Sequence, residues 1–229
     1  LSRGLGDVYK RQHLHLHTSY SLNSGTIKIE NLVNTAKKKN ITALAMTDYL
    51  NIFGAVKFYN KCIKARIKPI IGCEIPFVTE QNNRIDNIVL LCQDIDGYYN
   101  LNKILSSIHK SRSSNLGATF ELLKEYNTGL LCLSGGRNGL CGASVLQTPV
   151  DASRKIIENI SKAFNDRFYI EIDRTNRANE NEYNNIALAL AKELDLPIVA
   201  SNDVLFINDS DYEANEVKVS IIQKTKLDD

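Results

Sequence analysis

From His13 to the end of the chain, short runs of apolar residues alternate with stretches of helical periodicity, and this alternation limits the fold more than any other feature. The strand-length runs are 13–17, 41–46 (ITALAM), 68–75 (KPIIGCEI), 87–92 (NIVLLC), 129–134 (GLLCLS), 167–172 (RFYIEI) and 197–201 (PIVAS). Between them, Ile29, Leu32, Val33 and Ala36 fall at helical spacing, as do Ala55, Tyr59, Cys62 and Ile63. Tyr98, Leu101, Leu105 and Ile108 mark a third helix, and Ile156, Ile157, Ile160 and Ala163 a fourth. Residues 180–194 and 211–223 read as two more. Lys37–Lys39 end the first helix, and Glu180 and Glu182 open the fifth, each charge on the side that suits the helix dipole. Strands alternating with helices imply βαβ units and a parallel sheet. Runs that are apolar nearly throughout imply a sheet covered on both faces.

The chain has 229 residues, which fits one domain, since an α/β barrel takes about 200–250. Pattern alone leaves a closed barrel and an open doubly wound sheet both standing. No GxGxxG or Walker-type loop appears, which weakens a nucleotide-binding Rossmann reading. No apolar run approaches the roughly 18 residues of a membrane span. With 28 Lys+Arg against 26 Asp+Glu, the charge is too balanced to predict a nucleic-acid-binding face. The five cysteines, Cys62, Cys73, Cys92, Cys132 and Cys141, lack CxxC spacing and read as reduced, buried thiols of a cytoplasmic protein; a zinc or disulfide role is the alternative. Leu1–Gln12 (LSRGLGDVYKRQ) has no periodicity and no apolar core, and joins abruptly to the histidine cluster. It is expected to be a non-native leader rather than a secretory signal.

Polar residues collect where chemistry gathers in parallel α/β folds, at the carboxyl ends of strands. His15 and His17 are two apart on the first strand, so both imidazoles take one face. Thr47-Asp48 follow the second run, Glu74 closes the third, Ser134 and Arg137 follow the fifth, and Asn202-Asp203 follow the seventh. Imidazoles with carboxylates at one barrel mouth suit Zn²⁺ or Mn²⁺. The plainer readings are that Asp48 and Asp203 are cap or turn residues, that His109 lies on a solvated helix face, and that Glu171 pairs with Arg174. Glu74, in an apolar stretch, needs a partner if buried.

HLHLHTSYSL (13–22), ALAMTDYLNIFGAVKFY (43–59), KPIIGCEI (68–75), NIVLLCQDIDGYYNL (87–101), GLLCLSGGRNG (129–139), RFYIEIDRTNR (167–177) and PIVASNDVLFI (197–207) occur in this order. The set resembles the amino-terminal PHP domain of bacterial DNA polymerase III alpha subunits, from His13 to the end. The resemblance implies an α/β fold with a distorted seven-stranded (βα)7 barrel, and a PHP domain over 13–229 whose polymerase palm lies beyond Asp229. It also implies a nine-position ligand pattern for up to three metal ions. His15 and His17 match its paired histidines, Glu74 its glutamate and Asp203 its last aspartate. The remaining positions are degenerate: an aspartate is Ser24 here, histidines are Tyr49, Asn87 and Leu205, and a cysteine is Gly136.

Losing five ligands should remove most of a multinuclear site's affinity. No catalytic residue and no cofactor is therefore firmly expected; a residual Zn²⁺ or Mn²⁺ on the four survivors is the alternative, and Mg²⁺ belongs to the absent palm. Ser-Gly-Gly-Arg in place of Ser-Gly-Cys resembles the gammaproteobacterial type, in which the domain is a metal-free scaffold that binds the epsilon proofreading exonuclease. The resemblance thus implies a cytoplasmic, non-catalytic domain within the replicase holoenzyme, reaching DNA through the parent polymerase. The alternatives are an active metal-dependent 3′–5′ exonuclease domain of the same polymerase, and a free-standing PHP phosphatase.

Overall fold

In the computed structural model, residues 12–79, 84–111, 116–142, 150–175 and 179–225 are described. Residues 1–11 of the expected leader lie outside them, as do 176–177 of the sixth motif and the last four residues. The described elements run α1 (Ile29–Lys38), β1 (Ala43–Met46), α2 (Ala55–Ala65), β2 (Lys68–Thr79), β3 (Arg84–Cys92), α3 (Ile95–Lys110), α4 (Phe120–Tyr126), β4 (Leu130–Leu133), α5 (Val150–Phe164), β5 (Phe168–Asp173), α6 (Glu180–Glu193), β6 (Ile198–Ser201) and α7 (Tyr212–Gln223). Local chemistry sets several boundaries. Lys37 and Lys38 end α1, and Asp94 caps α3 by accepting the Gly97 N–H at 2.8 Å. The short helix α4, which the periodicity did not reveal, begins where the Thr119 hydroxyl accepts the Leu122 N–H.

The six strands form one curled sheet in chain order. The expected all-parallel sheet is corrected at β3, which is antiparallel to both β2 and β4. The reason is connection length: only residues 80–83 separate β2 from β3, whereas a parallel crossover takes a dozen or more. β1 with β2, β4 with β5, and β5 with β6 are parallel.

Segment 13–17, expected as the first of seven strands, forms isolated bridges instead of a ladder. His13 bridges Leu44 beside β1, and Leu16 bridges Val204 just past β6. The His17 N–H donates to the Val204 carbonyl at 2.9 Å, and the Thr47 N–H to the Leu16 carbonyl at 2.9 Å. A bend at His15 interrupts the pairing. Among the described residues the sheet therefore has six strands, with this segment lying against both of its ends.

Alternation along the strands divides the interior. One buried cluster, including Ile75, Ile88, Leu90, Leu130 and Phe168, packs against α3–α6. A second joins Leu16, Leu44 and Met46 to α1 and α2. The third lies on the concave face: Ala45, Val89, Leu91 and Leu133, with Leu14, Ile70, Tyr169 and Val199 against them. At about 1.5–3 kcal/mol per fully buried large side chain, these layers hold the strand ends in fixed register. The covering is incomplete at β6, where Ile198 and Ala200 are exposed. The helix that follows, α7, lines a cleft and bonds to the loop after His17. All five cysteines are free, with Cys92 half-buried and the rest buried. Burial pushes the Cys62 thiol up to about 11 and the Cys141 thiol up to about 12, so both stay protonated.

Candidate metal centre

The concave face changes character along each strand. Beyond Tyr169 come Glu171 and Asp173; beyond Val199 come Ser201 and Asp203; beyond Ala45 come Thr47 and Asp48. The four surviving ligand positions meet here. His17 Nε2 lies 3.3 Å from Glu74 Oε2 and 3.5 Å from Asp203 Oδ1. His15 Nε2 lies 3.7 Å from Glu74 Oε1, and the two imidazole rings are 5.4 Å apart. Donor atoms of His15, His17 and Asp203 all fall within 4.8 Å of one another.

The hydrogen bonds assign the tautomer of His17. The Ser21 hydroxyl donates to Asn23 Oδ1 at 3.0 Å, so its oxygen accepts a proton from His17 Nδ1 at 2.8 Å. The Nε2 atom is thereby turned toward two carboxylates. Gly25 permits the loop to close over this histidine: its φ is +90°, and a Cβ there would meet the His17 Cβ at 2.9 Å.

Acidic residues that the sequence reading did not place at the site complete it. The expected pairing of Glu171 with Arg174 does not form. Glu171 is fully buried and its Oε1 lies 3.0 Å from His15 Nδ1, while Arg174 reaches Asn181 at 3.5 Å. Asp173 accepts the Arg137 N–H at 3.3 Å, and its Oδ1 lies 3.4 Å from the Ser201 hydroxyl oxygen, whose proton goes to Glu171. Both acids were findable, because two polar residues two apart in an otherwise apolar strand mirror the His15/His17 spacing. Burial pushes the Asp173 carboxyl up to about 6, and neighbouring Glu171 adds to the shift. Burial by itself would lower the His15 pKa, but the charge of Glu171 and the hydrogen bond to it, with Glu74 close by, raise it well above the usual value.

Asp48 is no turn residue on the surface. It is buried beside the site and accepts both the N–H and the hydroxyl of Thr18. His109 is exposed as expected, though its Nε2 sits 2.8 Å from the Leu50 carbonyl.

Three of the degenerate positions, Ser24, Asn87 and Leu205, line one cleft of about 510 Å³ together with His17, Glu74 and Asp203; Tyr49 and Gly136 are not among its lining residues. Ser24 donates to Asn23 rather than facing a ligand. Asn87 donates its amide to Glu74 Oε1 at 3.0 Å. Tyr49 is partly buried, and burial raises its hydroxyl pKa to about 12, so it does not offer a phenolate. Gly136 sits against Asp173 and has no donor to give. The last helix, α7, forms one wall through Tyr212, Asn215, Glu216 and Val219.

Tested against these atoms, a single divalent cation fits: His15 Nε2 is buried without a hydrogen-bond partner among the described residues, amid carboxylate oxygens. A three-metal centre does not fit, because Leu205, Gly136 and the engaged Asn87 amide supply no ligands.

Residues 13–175 match the PHP domain family. The chain belongs to that family. It is 37% identical over 213 residues to the DNA polymerase III subunit alpha of Buchnera aphidicola, covering 91% of this chain and 18% of that protein. Against the same subunit of Escherichia coli K12 it is 36% identical over 220 residues, covering 95% of this chain and 19% of that protein. The PHP chain thus spans about a fifth of the length of these relatives. Among solved structures it is similar to a protein described as a metal-dependent phosphoesterase from Bifidobacterium adolescentis, with a TM-score of 0.57 and 12% identity over 90% of this chain and 96% of that one. An amidohydrolase from Chromobacterium violaceum superposes with a TM-score of 0.56 and 14% identity, covering 86% and 88%. At such identities these two likenesses bear on the fold alone. No described helix is long and apolar enough to cross a membrane.

Proposed function

We propose that this chain is the amino-terminal PHP domain of a DNA polymerase III alpha subunit, in which it is a non-catalytic scaffold. It stabilises the polymerase and docks the epsilon proofreading exonuclease. On this reading the domain runs over 13–229, segment 13–17 closes a seven-stranded barrel, and 1–12 are foreign to it. The parent chain carries out nucleotidyl transfer with Mg²⁺ in its palm, in the cytoplasm, as part of the replicase.

The observation that carries the loss of catalysis is the Asn87–Glu74 hydrogen bond. An amide proton occupies Glu74 Oε1 and leaves only Oε2 for a metal. With Leu205 and Gly136 beside it, the cleft keeps donors for one ion and not for the clusters that phosphoester hydrolysis uses. His15, His17, Glu74 and Asp203 would hold that ion. When bound, it would supply Lewis-acid charge at the cleft, and the chain's own groups would orient it.

The second reading, an active exonuclease domain, is favoured by one observation: the imidazole and carboxylate donors of His15, His17 and Asp203 still converge. Metal content and nuclease activity of the purified chain separate the two. Stoichiometric Zn²⁺ or Mn²⁺ with DNA degradation abolished by His17→Ala would overturn the scaffold reading. A pull-down with the cognate exonuclease subunit tests docking, and no binding by the folded chain would count against it.

A further inference from the structure

We propose that Glu171 is the positioning residue of this centre, holding His15 so that its Nε2 is presented to a divalent cation. The inference rests on the reading that the cleft keeps one cation site. It adds a residue that the nine-position pattern does not contain.

Three observations carry it. First, Glu171 is fixed at every polar group but one. Its Oε1 faces His15 Nδ1 at 3.0 Å and also accepts the Ser201 hydroxyl. Its N–H donates to Ser134 Oγ at 2.9 Å, and its carbonyl accepts the Tyr183 hydroxyl. Second, Glu171 Oε1 already accepts the Ser201 hydroxyl, so this oxygen is an acceptor toward His15 Nδ1 as well, and Nε2 is the atom left for a ligand role. That atom is buried and has no hydrogen-bond partner among the described residues. Third, Glu171 Oε2 is also buried without such a partner. Negative charge behind an imidazole raises the basicity of the opposite nitrogen and fixes the ring plane, as carboxylate–histidine pairs behind metal ions do.

Ser201 and Tyr183 extend the support. They come from β6 and α6, so the orientation of His15 is set by three elements rather than by its own bent segment. His17 is held differently, through the Ser21 hydroxyl, which is neutral. The two histidines are therefore unequal donors, and His15 is the one tuned by charge.

Co²⁺ titration of the full 229-residue chain, followed by visible absorption and calorimetry, tests this. The unaltered chain is expected to bind one equivalent. Glu171→Ala should weaken binding about 10–100-fold, and Glu171→Gln, which keeps an acceptor but no charge, should fall between. Melting curves without metal accompany each variant, since a change in fold alone would move those and not their ratio to the binding loss. Should Glu171→Ala fail to fold, the Gln variant and nitrogen chemical shifts of His15 in the Zn²⁺-loaded unaltered chain carry the test. A proton on Nδ1 with Nε2 metal-bound supports the proposal. Affinity of the Ala or Gln variant within twofold of the unaltered chain, a proton on Nε2, or no Co²⁺ binding by the unaltered chain would each overturn it. The scaffold reading is decided separately, by the pull-down.

Discussion

Asp48 gives both carboxylate oxygens to one residue, Thr18: Oδ1 accepts its backbone N–H at 2.5 Å and Oδ2 its hydroxyl at 2.7 Å. The pair is fully buried and joins the segment after β1 to the loop that follows His17. Burial raises the Asp48 pKa even against these two bonds, so the carboxylate is retained at an electrostatic cost. Replacing it should therefore be worse than losing a surface cap. Asp48→Ala strands two buried donors and is expected to destabilise the chain by about 3 kcal/mol, whereas Asp48→Asn, which keeps one acceptor, should cost about 1 kcal/mol. Urea unfolding followed by circular dichroism measures both; equal, negligible losses would show that the Thr18 contact contributes little.

Asn87 and Leu205 offer a test by restoration. Both line the cleft beside Glu74 and Asp203, and both stand at positions where the ligand pattern has histidine. Asn87→His removes the amide that occupies Glu74 Oε1 and adds an imidazole in its place. The double variant with Leu205→His is expected to raise Zn²⁺ affinity at least about tenfold, with stoichiometry rising above that of the unaltered chain. Competition with a chromophoric chelator reads this directly. Unchanged affinity in a folded double variant would mean that other losses, such as Gly136, limit the site.

How much of this was legible in the sequence differs by level, and the differences have physical causes. Two-residue spacing and strand-end placement, which follow from backbone geometry, put His15, His17, Glu74 and Asp203 at one end of the sheet; it is the family resemblance that singles these four out as a ligand set. The direction of β3 was missed because apolar runs carry no polarity; only the length of the 80–83 connection shows it. Segment 13–17 reads as a strand by composition, yet its bend at His15 leaves bridges in place of a ladder. Glu171 was assigned to Arg174 by proximity along the chain, while its true partner is 156 residues away. Long-range pairing of buried charges is set by the curl of the sheet, which local pattern does not encode.

The buried acids predict an acid-favouring stability profile in the metal-free chain. Asp173, pushed up to about 6 by burial and by Glu171, holds its proton more tightly when folded than when unfolded. Its stabilising contribution is therefore complete below about pH 4 and lost as pH rises through about 6. A shift of this size corresponds to a loss on the order of 3 kcal/mol. The raised pKa of His15 has the same sign: stability is full below its ordinary value and falls as pH climbs through the folded one. In chelator, the melting temperature should drop between pH 5 and pH 8. Asp173→Asn should remove the part of the drop that occurs below about pH 6 and keep the rest. A melting temperature that rises over this range would contradict the assignment.

Lys218 ties the last helix to the site, and its removal should open the cleft without emptying it of ligands. The ammonium donates to three carbonyls of one loop: Ser21 at 2.8 Å, Ser24 at 3.3 Å and Gly25 at 2.9 Å. The neighbouring Asn215 accepts the Gly25 N–H at 2.8 Å, so α7 grips the loop twice within one helical turn. The loop carries Ser21, which sets the tautomer of His17, and Gly25, which packs on its Cβ. Lys218 is half-buried, and burial lowers its pKa. Its bonds to the carbonyls are charge-assisted and outweigh what an exposed surface contact would give. Lys218→Met keeps the aliphatic stem and removes the donors. The expected outcome is faster amide exchange in 21–25 and 212–223, with a stability loss of about 1–3 kcal/mol and little change in the strands. Weaker cation binding should follow, since the Ser21 contact to His17 is then unsupported. If exchange quickens across the β-sheet as well, α7 is part of the core rather than a strap over the mouth. If exchange in 21–25 is unaltered, Asn215 alone holds the loop and Lys218 is dispensable.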